Sequence, residues 1–543
     1  MNKKISTKCI LRFSCIVFVL FSGCETLPDE KFYELDVPAE KVRQIEELNL
    51  EQMNKEQEPI PDVNAAPPKE ARLALEECRA LALSNNLGLK VQLINPSIAA
   101  KRLSEEEAKF EASFFSNVTY AKTDTPISTV LSGGSTVDNS VVDLGVQVPL
   151  RTGGTVRFDL VDNRIKTNDI FATLNPAYIT DFSVSISQPL LRNAGNRANT
   201  HSIRIANYDR QIVDATTKLE IIRVLAAADR VYWRLDATRR DLEVRKQQYD
   251  LAVAQLEQAR RFVDSGEMAQ VEVVRAEAGV AERLEGIIIA ENSVRDRQRE
   301  LKQILNKPGL DMQSPTILIT STDPDPVHYE LDIPNLVSAA IENRMEMLEL
   351  ELHLAKDIST LDYLKNQALP LVTLDYTYNI NGLGETKSDS YDLLTDNRFQ
   401  DHILGLQLLI PLGNEAAKSR VMQAFYQRRQ RLASKEDRRT LIELEVLNAI
   451  DQLEANWQRI LASRQNVLLQ GRLFEAEKRQ FELGLRTSTD VLDAQTKFAE
   501  AQSSEILALA QYQIAQVDLA FATGTLLGAT KVRWEPIIPT TKQ

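Results

Sequence analysis

Hydrophobic residues recur every seven positions along two long stretches of this chain. In the first they are Ala228, Leu235, Leu242, Tyr249, Leu256 and Val263; in the second, Val446, Leu453, Ile460, Val467, Phe474 and Phe481. A strict seven-residue repeat keeps one stripe of a helix turned toward a partner helix and imposes coiled-coil-like supercoiling. No proline interrupts Ala198 to Phe262 or Glu415 to Phe481. At 1.5 Å per residue each stretch predicts a rod of about 100 Å. Each is followed by a turn and a second helical pattern, roughly Val271 to Leu305 and Thr489 to Thr523. A dimeric coiled coil fits the rods alone; the turn-and-return pattern favours antiparallel hairpins.

Between the helical parts the period drops to two. Val372, Leu374, Tyr376 and Tyr378 alternate with Thr373, Asp375 and Thr377, and Leu404, Leu406, Leu408 and Ile410 alternate with Gly405, Gln407 and Leu409. In the first half Phe182, Val184 and Ile186 alternate with serines. Strands that are apolar on one face and small or polar on the other suit an outer-membrane barrel, with lipid outside and water inside. A soluble sheet covering a core on one face shares the pattern. Pro370 falls where a helix enters a strand, and Pro189 and Pro411 where strands leave for helices. Proline continues neither hydrogen-bond ladder, so it suits such junctions. The segment VVDLGVQVPLRTGGTVRFDLVDN predicts a further β-hairpin at about 139–163, turning at Thr152-Gly153-Gly154. Alternation alone leaves open whether this hairpin joins the same sheet or stands apart from it.

The chain is also internally duplicated. LEECRALALSNNLGL, starting at Leu75, aligns without a gap to IPNLVSAAIENRMEM, starting at Ile333, so Asn85 falls on Asn343. Gly266, Glu272, Val273 and Ala276 fall on Gly484, Asp490, Val491 and Ala494 at a second constant offset, which also superposes the heptads. The surplus residues of the first half therefore lie between Tyr120 and the first long helix.

The N-terminal residues carry Lys3, Lys4, Lys8 and Arg12, then an uncharged apolar run, Phe13 to Phe21, too short for a permanent membrane helix. It closes on Ser22-Gly23-Cys24, which resembles a bacterial lipobox with Cys24 as the lipidated residue. An ordinary secretory signal with an incidental cysteine is the alternative. Beyond Cys24 the remaining cysteine is Cys78, in an apolar-periodic segment, which predicts a core residue and excludes a disulfide framework. The four histidines are scattered, with no metal-ligand spacing. A net charge of −13 argues against nucleic acid. No nucleophile–base pair, phosphate-binding glycine loop or metal cluster is legible, so neither an enzyme nor a cofactor is expected.

These features together resemble the TolC-like outer membrane efflux proteins. The resemblance rests on A-L-x-N-N at Ala82 to Asn86, Q-P-L at Gln188 to Leu190, and G-x-R-T-x-x-D-V-L-D-A at Gly484 to Ala494, and it covers residues 71 to 528. It implies a mostly α fold with a membrane β-barrel part, internally duplicated, in a trimeric α-barrel/β-barrel tunnel. The organisation it implies is a lipoprotein signal peptide at 1–23 and a lipid-anchored tether at 24–70. The first repeat follows at 71–310, with its helical hairpin at 197–305, then a linker at 311–330. The second repeat spans 331–528, with strands at about 371–380 and 402–411 and a hairpin at 415–523, before a tail at 529–543. Four strands per chain would close a twelve-stranded barrel; the extra hairpin would enlarge it or form an appendage.

The expected function is an outer-membrane exit duct for efflux or type I-like secretion, working with a periplasmic adaptor and an inner-membrane pump. A non-conducting, periplasm-spanning scaffold is the alternative, although such a scaffold has no use for lipid-facing strands. By resemblance, Asp490 and Asp493 line the pore constriction, and Arg486 latches the closed state to an acid at Glu272. Phe481 stands where the family has a tyrosine in the latch, and Gly266, Gly484 and Leu485 mark the adaptor-contact tips. Read for itself, Thr487-Ser488-Thr489-Asp490 is a helix start with a capping box, and Asp493 lies one turn on from Asp490 on the same face.

Overall fold

The structure, a computed structural model, describes residues 70–129, 134–267, 269–483 and 485–532. The expected signal segment, Cys24, Gly484 and nearly all of the tether and tail lie outside them. The described residues belong to one unit, Pro68–Gln543.

The two rods are the longest helices. α5 (His201–Asp264) has 64 residues and α10 (Glu415–Glu482) has 68, about 100 Å each. Each turns back into a helix of half its length, α6 (Gln270–Leu305) and α11 (Ser488–Ala522). The other halves of the rods are covered by α3 (Asn95–Ala108) and α8 (Met345–Gln367). The shorter helices α1 (Leu75–Asn85), α2 (Leu87–Gln92), α4 (Asn196–Asn199) and α7 (Ile333–Asn343) complete the two repeats, with α9 (Lys387–Thr395) and α12 (Leu526–Ala529) outside the duplication. The second heptad seam runs buried from Ile442 and Val446 through Leu453 and Ile460 to Phe481. On α5 the buried stripe here differs from the one the heptads pick out: Val244, Gln248, Ala252, Gln255 and Ala259 are buried, Gln248 and Gln255 meeting α11 and Ala259 packing with Val273 and Ala276 of α6, while Tyr249, Leu256 and Val263 are half-buried.

Six strands form one antiparallel sheet in the order β2 (Ser113–Asp124), β3 (Thr136–Pro149), β4 (Thr155–Thr167), β5 (Ala177–Pro189), β7 (Leu371–Gly384) and β8 (Gln400–Leu409). The extra hairpin, β3–β4, is three to four residues longer at each end than the alternation predicts, and it lies inside the sheet. Paired residues share a face. One face carries Val142, Leu160, Phe182, Ile380 and Leu404; the other carries Asn117, Asp143, Ser183, Thr377 and Asp401. At the sheet end far from the rods, α9 lies on the apolar face, where buried Ser390 meets Thr180 Oγ1 at 2.9 Å. Gly382 and Gly384 pass so close to α9 that a Cβ on either would overlap its backbone.

The sheet and rods meet at joints of proline and left-handed backbone. Pro189 ends β5, and Asn193 (φ 64°) and Gly195 (φ 86°) follow; after β8 come Pro411, Gly413 (φ 82°) and Asn414 (φ 54°). Side-chain amides fasten both joints to the end of α8. Asn366 Oδ1 accepts from Asn193 N at 2.8 Å, and Asn414 Nδ2 donates to Ala368 O at 2.7 Å.

Between the two halves of the rods sits the main core. Cys78, Tyr232, Leu235, Leu301 and Leu305 are fully buried there. The residues expected as linker contribute to it, paired with the start of the first repeat: β1 (Glu70–Leu73) and β6 (Ile317–Thr320) run parallel. Tyr232 holds that pair to α5, its hydroxyl donating to Leu73 O at 3.0 Å and accepting from Thr322 N at 3.0 Å. Arg79 grips fully buried Asp229 through two bonds of 2.8 and 2.9 Å. In the second repeat buried Arg344 is held by Glu346 and Glu445.

Candidate functional site at the helical tips

The two hairpin turns share one backbone solution. Glu267 N donates to Phe262 O in the first, and Leu485 N to Gln480 O in the second, each at 2.9 Å. These pairs correspond under the duplication. Gly266 takes φ 79° just past the end of α5, a left-handed conformation that glycine adopts at little cost, and nothing lies within 4 Å of where its Cβ would be. Leu485 is 72% exposed and Leu483 73%, and Val271 and Val274 are also exposed. The tips thus present apolar side chains to solvent around an accessible backbone.

The second turn carries the predicted capping box. Thr487 Oγ1 accepts from Asp490 N at 3.4 Å, while Asp490 Oδ2 accepts from Thr487 N at 3.0 Å and from Thr487 Oγ1 at 2.8 Å. The Thr487 backbone N–H first, then its hydroxyl, hold the Asp490 carboxyl below the usual aspartate range. In the first turn Ala269 occupies the cap position and supplies no such bond. Asp493 is exposed one turn further along α11.

The ionic contacts of the tips are local. Arg486 Nε lies 2.9 Å from Gln480 Oε1 and 3.1 Å from Glu477 Oε2, both on its own hairpin. Glu272 pairs with Arg275 at 2.6 Å, and its second carboxylate oxygen is buried without a hydrogen-bond partner. Within one chain, then, Arg486 and Glu272 are each engaged elsewhere. Phe481 is 2% exposed, and its ring meets Phe262 of the other hairpin. It packs the two tips together at the position where the resemblance puts a tyrosine.

Sequence reading missed the polar seam above the tips. Gln255 Nε2 donates to Ser488 O and Oγ, both at 3.3 Å, and Gln495 Nε2 to Gln248 O at 3.0 Å, all buried. Arg283 Nη2 reaches Thr496 Oγ1 at 3.0 Å. The signal was present: Gln248 and Gln255 are seven apart on a seam of small residues. Among the described residues no helix is long and apolar enough to cross a membrane, and no cluster of metal-binding side chains is found.

Residues 336–525, which hold α7–α11 and the second tip, match the family described as outer membrane efflux protein. The chain is 25% identical over 283 residues to outer membrane protein TolC of Salmonella enteritidis, covering 50% of this chain and 55% of that protein. It is 23% identical over 320 residues to outer membrane protein TolC of Vibrio cholerae serotype O1, covering 58% and 69%. The chain thus spans only about half the length of the Salmonella relative. Among solved structures, the outer membrane protein VceC of Vibrio cholerae superposes with TM-score 0.60 at 13% identity, over 83% of this chain and 96% of that one. The Campylobacter jejuni CmeC outer membrane channel does so with TM-score 0.60 at 15% identity, over 83% and 86%. The fold is that of the TolC-type outer membrane channels, mostly α with a β-barrel part.

Proposed function

We propose that the chain forms the outer-membrane exit duct of a tripartite efflux or secretion system, a passive channel gated at its helical tips. One observation carries this reading: a sheet apolar on one face and polar on the other is joined end-on to helical hairpins about 100 Å long. An apolar outer surface needs lipid, and a polar inner surface needs water. The sheet has two free edges, so a barrel requires further copies of the chain, and a homotrimer is the assembly the fold suggests. The exposed apolar residues of the hairpins, among them Leu284 and Ile288 on α6 and Leu461 and Leu468 on α10, support helix packing between copies.

In such a trimer Asp490 and Asp493 form two rings of carboxylate at the mouth, favouring cations over anions. In the closed assembly Arg486 leaves Glu477 and Gln480, which hold it within its own hairpin, and pairs with Glu272 of a neighbouring one. Each exposed ion pair contributes only about 0–1 kcal/mol, so the latch biases a gate rather than locking it. The open backbone at Gly266 and the exposed Leu485 give a periplasmic adaptor hairpin its docking point, and Gly484, which corresponds to Gly266 in the sequence repeat, shares that role. The adaptor in turn connects an inner-membrane pump. Cys24 anchors the chain to the outer membrane, and selection and energy come from the partners.

The test is single-channel conductance in planar bilayers, wild type beside Arg486→Ala. A small cation-selective conductance that rises in the variant supports both duct and latch. An unchanged variant removes the latch. A folded, inserted trimer that conducts nothing replaces the duct with a periplasm-spanning scaffold.

A further inference from the structure

β3 and β4 form part of the wall. β2 pairs with β3 over its whole length, from Ser113↔Gln147 to Asp124↔Thr136. β3 pairs with β4 from Val137↔Thr167 to Pro149↔Thr155, and β4 with β5 from Thr155↔Ser187 to Ile165↔Ala177. In the half nearest the rods the apolar face continues across the added strands through Leu144, Val146, Phe158 and Leu160; toward the far end that face carries Asp138, Asp162 and Lys166 instead. A hairpin standing off the sheet would keep neither ladder nor face.

Two further contacts fix the insertion. On the polar face, Phe115 of β2 lies across Gly145 of β3, where a Cβ would overlap its ring, and the Arg157 guanidinium of β4 sits 4.4 Å from that ring's centre. Arg157 is held in place by Asp159 at 2.6 Å and Asp143 at 3.8 Å. An aromatic ring folded over a strand glycine pins register, here across three neighbouring strands. At the hairpin turn, Thr152 O accepts from Gly195 N at 2.9 Å and from Gln188 Nε2 at 3.2 Å. The turn is thereby tied to the joint between β5 and the first rod.

The sheet ends at β2 and β8, whose outer edges are unpaired among the described residues. On the apolar face both are bare: Val118 and Tyr120 on β2 are 69% and 67% exposed, and Leu404 and Leu406 on β8 are 72% and 68%. Six alternating strands leave β2 and β8 running in opposite directions. β8 of one copy therefore continues the antiparallel ladder into β2 of the next, with each face matched.

Resting on the trimeric duct proposed above, we infer that three copies close a single barrel of eighteen strands, wider than the twelve that four strands per chain would give. With strands about 4.8 Å apart and tilted about 40°, a twelve-stranded wall has a backbone radius of roughly 12 Å and an eighteen-stranded wall roughly 18 Å. The cross-section grows about 2.3-fold by the same geometry. The number of rods per copy is unchanged, so the added width is confined to the membrane. There the lumen takes the size of a general aqueous pore, and restriction by size falls to the helical tube and its tips.

The test is electron microscopy of the purified full-length protein in lipid nanodiscs, counting strands around the ring, with a size-exclusion readout beside it. Ser183→Cys, on the polar face of β5, is exposed to maleimide–polyethylene glycols of increasing mass from the outer side. The same substitution is then placed in a variant lacking residues 136–167, in which β2 can pair directly with β5 in unchanged direction. Eighteen strands, with a mass cut-off that falls in the shortened variant, are the expected results. If the shortened variant fails to assemble, the strand count alone decides. A twelve-stranded ring with β3–β4 outside it, or equal cut-offs in two assembled proteins, overturns the wider barrel. Because conductance is measured separately, a conducting trimer with twelve strands sinks only this inference, whereas eighteen strands around a non-conducting pore sinks the duct.

Discussion

The rings of Phe262 and Phe481 meet edge to face, with centroids 6.2 Å apart and planes 65° from parallel, and join the two hairpin tips of one chain. Phe481 is 2% exposed, in a region where most neighbours are solvated. Truncating a buried phenylalanine costs about 3–5 kcal/mol. Phe481→Ala is expected to let the tips part. Amide exchange should quicken in the last turns of α5 and α10, and closed-state conductance should rise. Phe481→Leu should change both much less. An alanine variant with unaltered exchange at the tips would show that the contact does not hold them.

The capping box predicts an acid-sensitive helix start. Bonds from Thr487 keep the Asp490 carboxyl below its ordinary range. A carboxyl depressed in the folded state contributes stability above its unfolded value, lost as pH falls through the folded one. The first turn of α11 should therefore be protected at neutral pH and fray only below the usual aspartate range, near pH 3.9. Thr487→Ala should expose that turn to amide exchange at pH 7, while the first turn of α6, which has Ala269 at its cap, should already exchange fast. Equal protection of the two turns in wild type would contradict this.

Cys78 should be chemically silent in the folded protein. Burial, then the nearby Asp229 charge, push its thiol from 9.0 up to about 12. Thiolate is the reactive form, so a maleimide at pH 8 should label Cys78 only after denaturation. A group whose folded value is raised contributes stability below its unfolded value and loses it above. Stability should thus drop between about pH 9 and 12, and Cys78→Ala should flatten that limb of a melting-temperature profile. Rapid labelling of native protein would refute the burial.

Arg79 and Asp229 form the most buried ion pair of the first repeat among the described residues. Burial raises the Asp229 carboxyl, and the hydrogen bonds and charge of Arg79 pull against that. Removing one partner of a buried pair costs about 3–5 kcal/mol, because the other is left charged in an apolar site. Arg79→Leu should melt well below wild type at pH 7 and recover as pH falls and Asp229 takes up a proton. The double variant Arg79→Leu/Asp229→Leu should be more stable than Arg79→Leu alone. The reverse order in thermal melts would count against an isolated buried carboxylate.

Repeating patterns were what the sequence disclosed. Heptads located both rods because each holds a stripe against a partner for many turns, and alternation located strands because the two faces meet different solvents. The exact stripe on α5 was less legible, since Gln248 and Gln255 occupy seam positions that a hydrophobic count passes over. Four-residue strands such as β1 and β6 are too short to show a period, and their pairing joins residues far apart in the chain. α9 escaped for a similar reason: it is short and polar, and the Thr386–Asp389 capping box was its main mark. At the tip, the acids and turns were legible from spacing. The partners of Arg486 were not, because Arg486 sits in the turn and folds back onto Glu477 and Gln480 in the last two turns of α10.

The proline and left-handed joints at Asn193, Gly195, Gly413 and Asn414 act as mechanical fuses between rod and wall. A continuous helix or strand would carry torque from one end of the molecule to the other. Here the β5–β7 backbone bonds run only as far as Leu190 and Arg192, β8 ends before Pro411, and the side chains of Asn366 on α8 and Asn414 in the joint supply short tethers. Twisting the tips therefore arrives at the sheet as a swivel about a few dihedral angles. For the duct proposed above, this means an inner mouth that works repeatedly while the seal against lipid stays still.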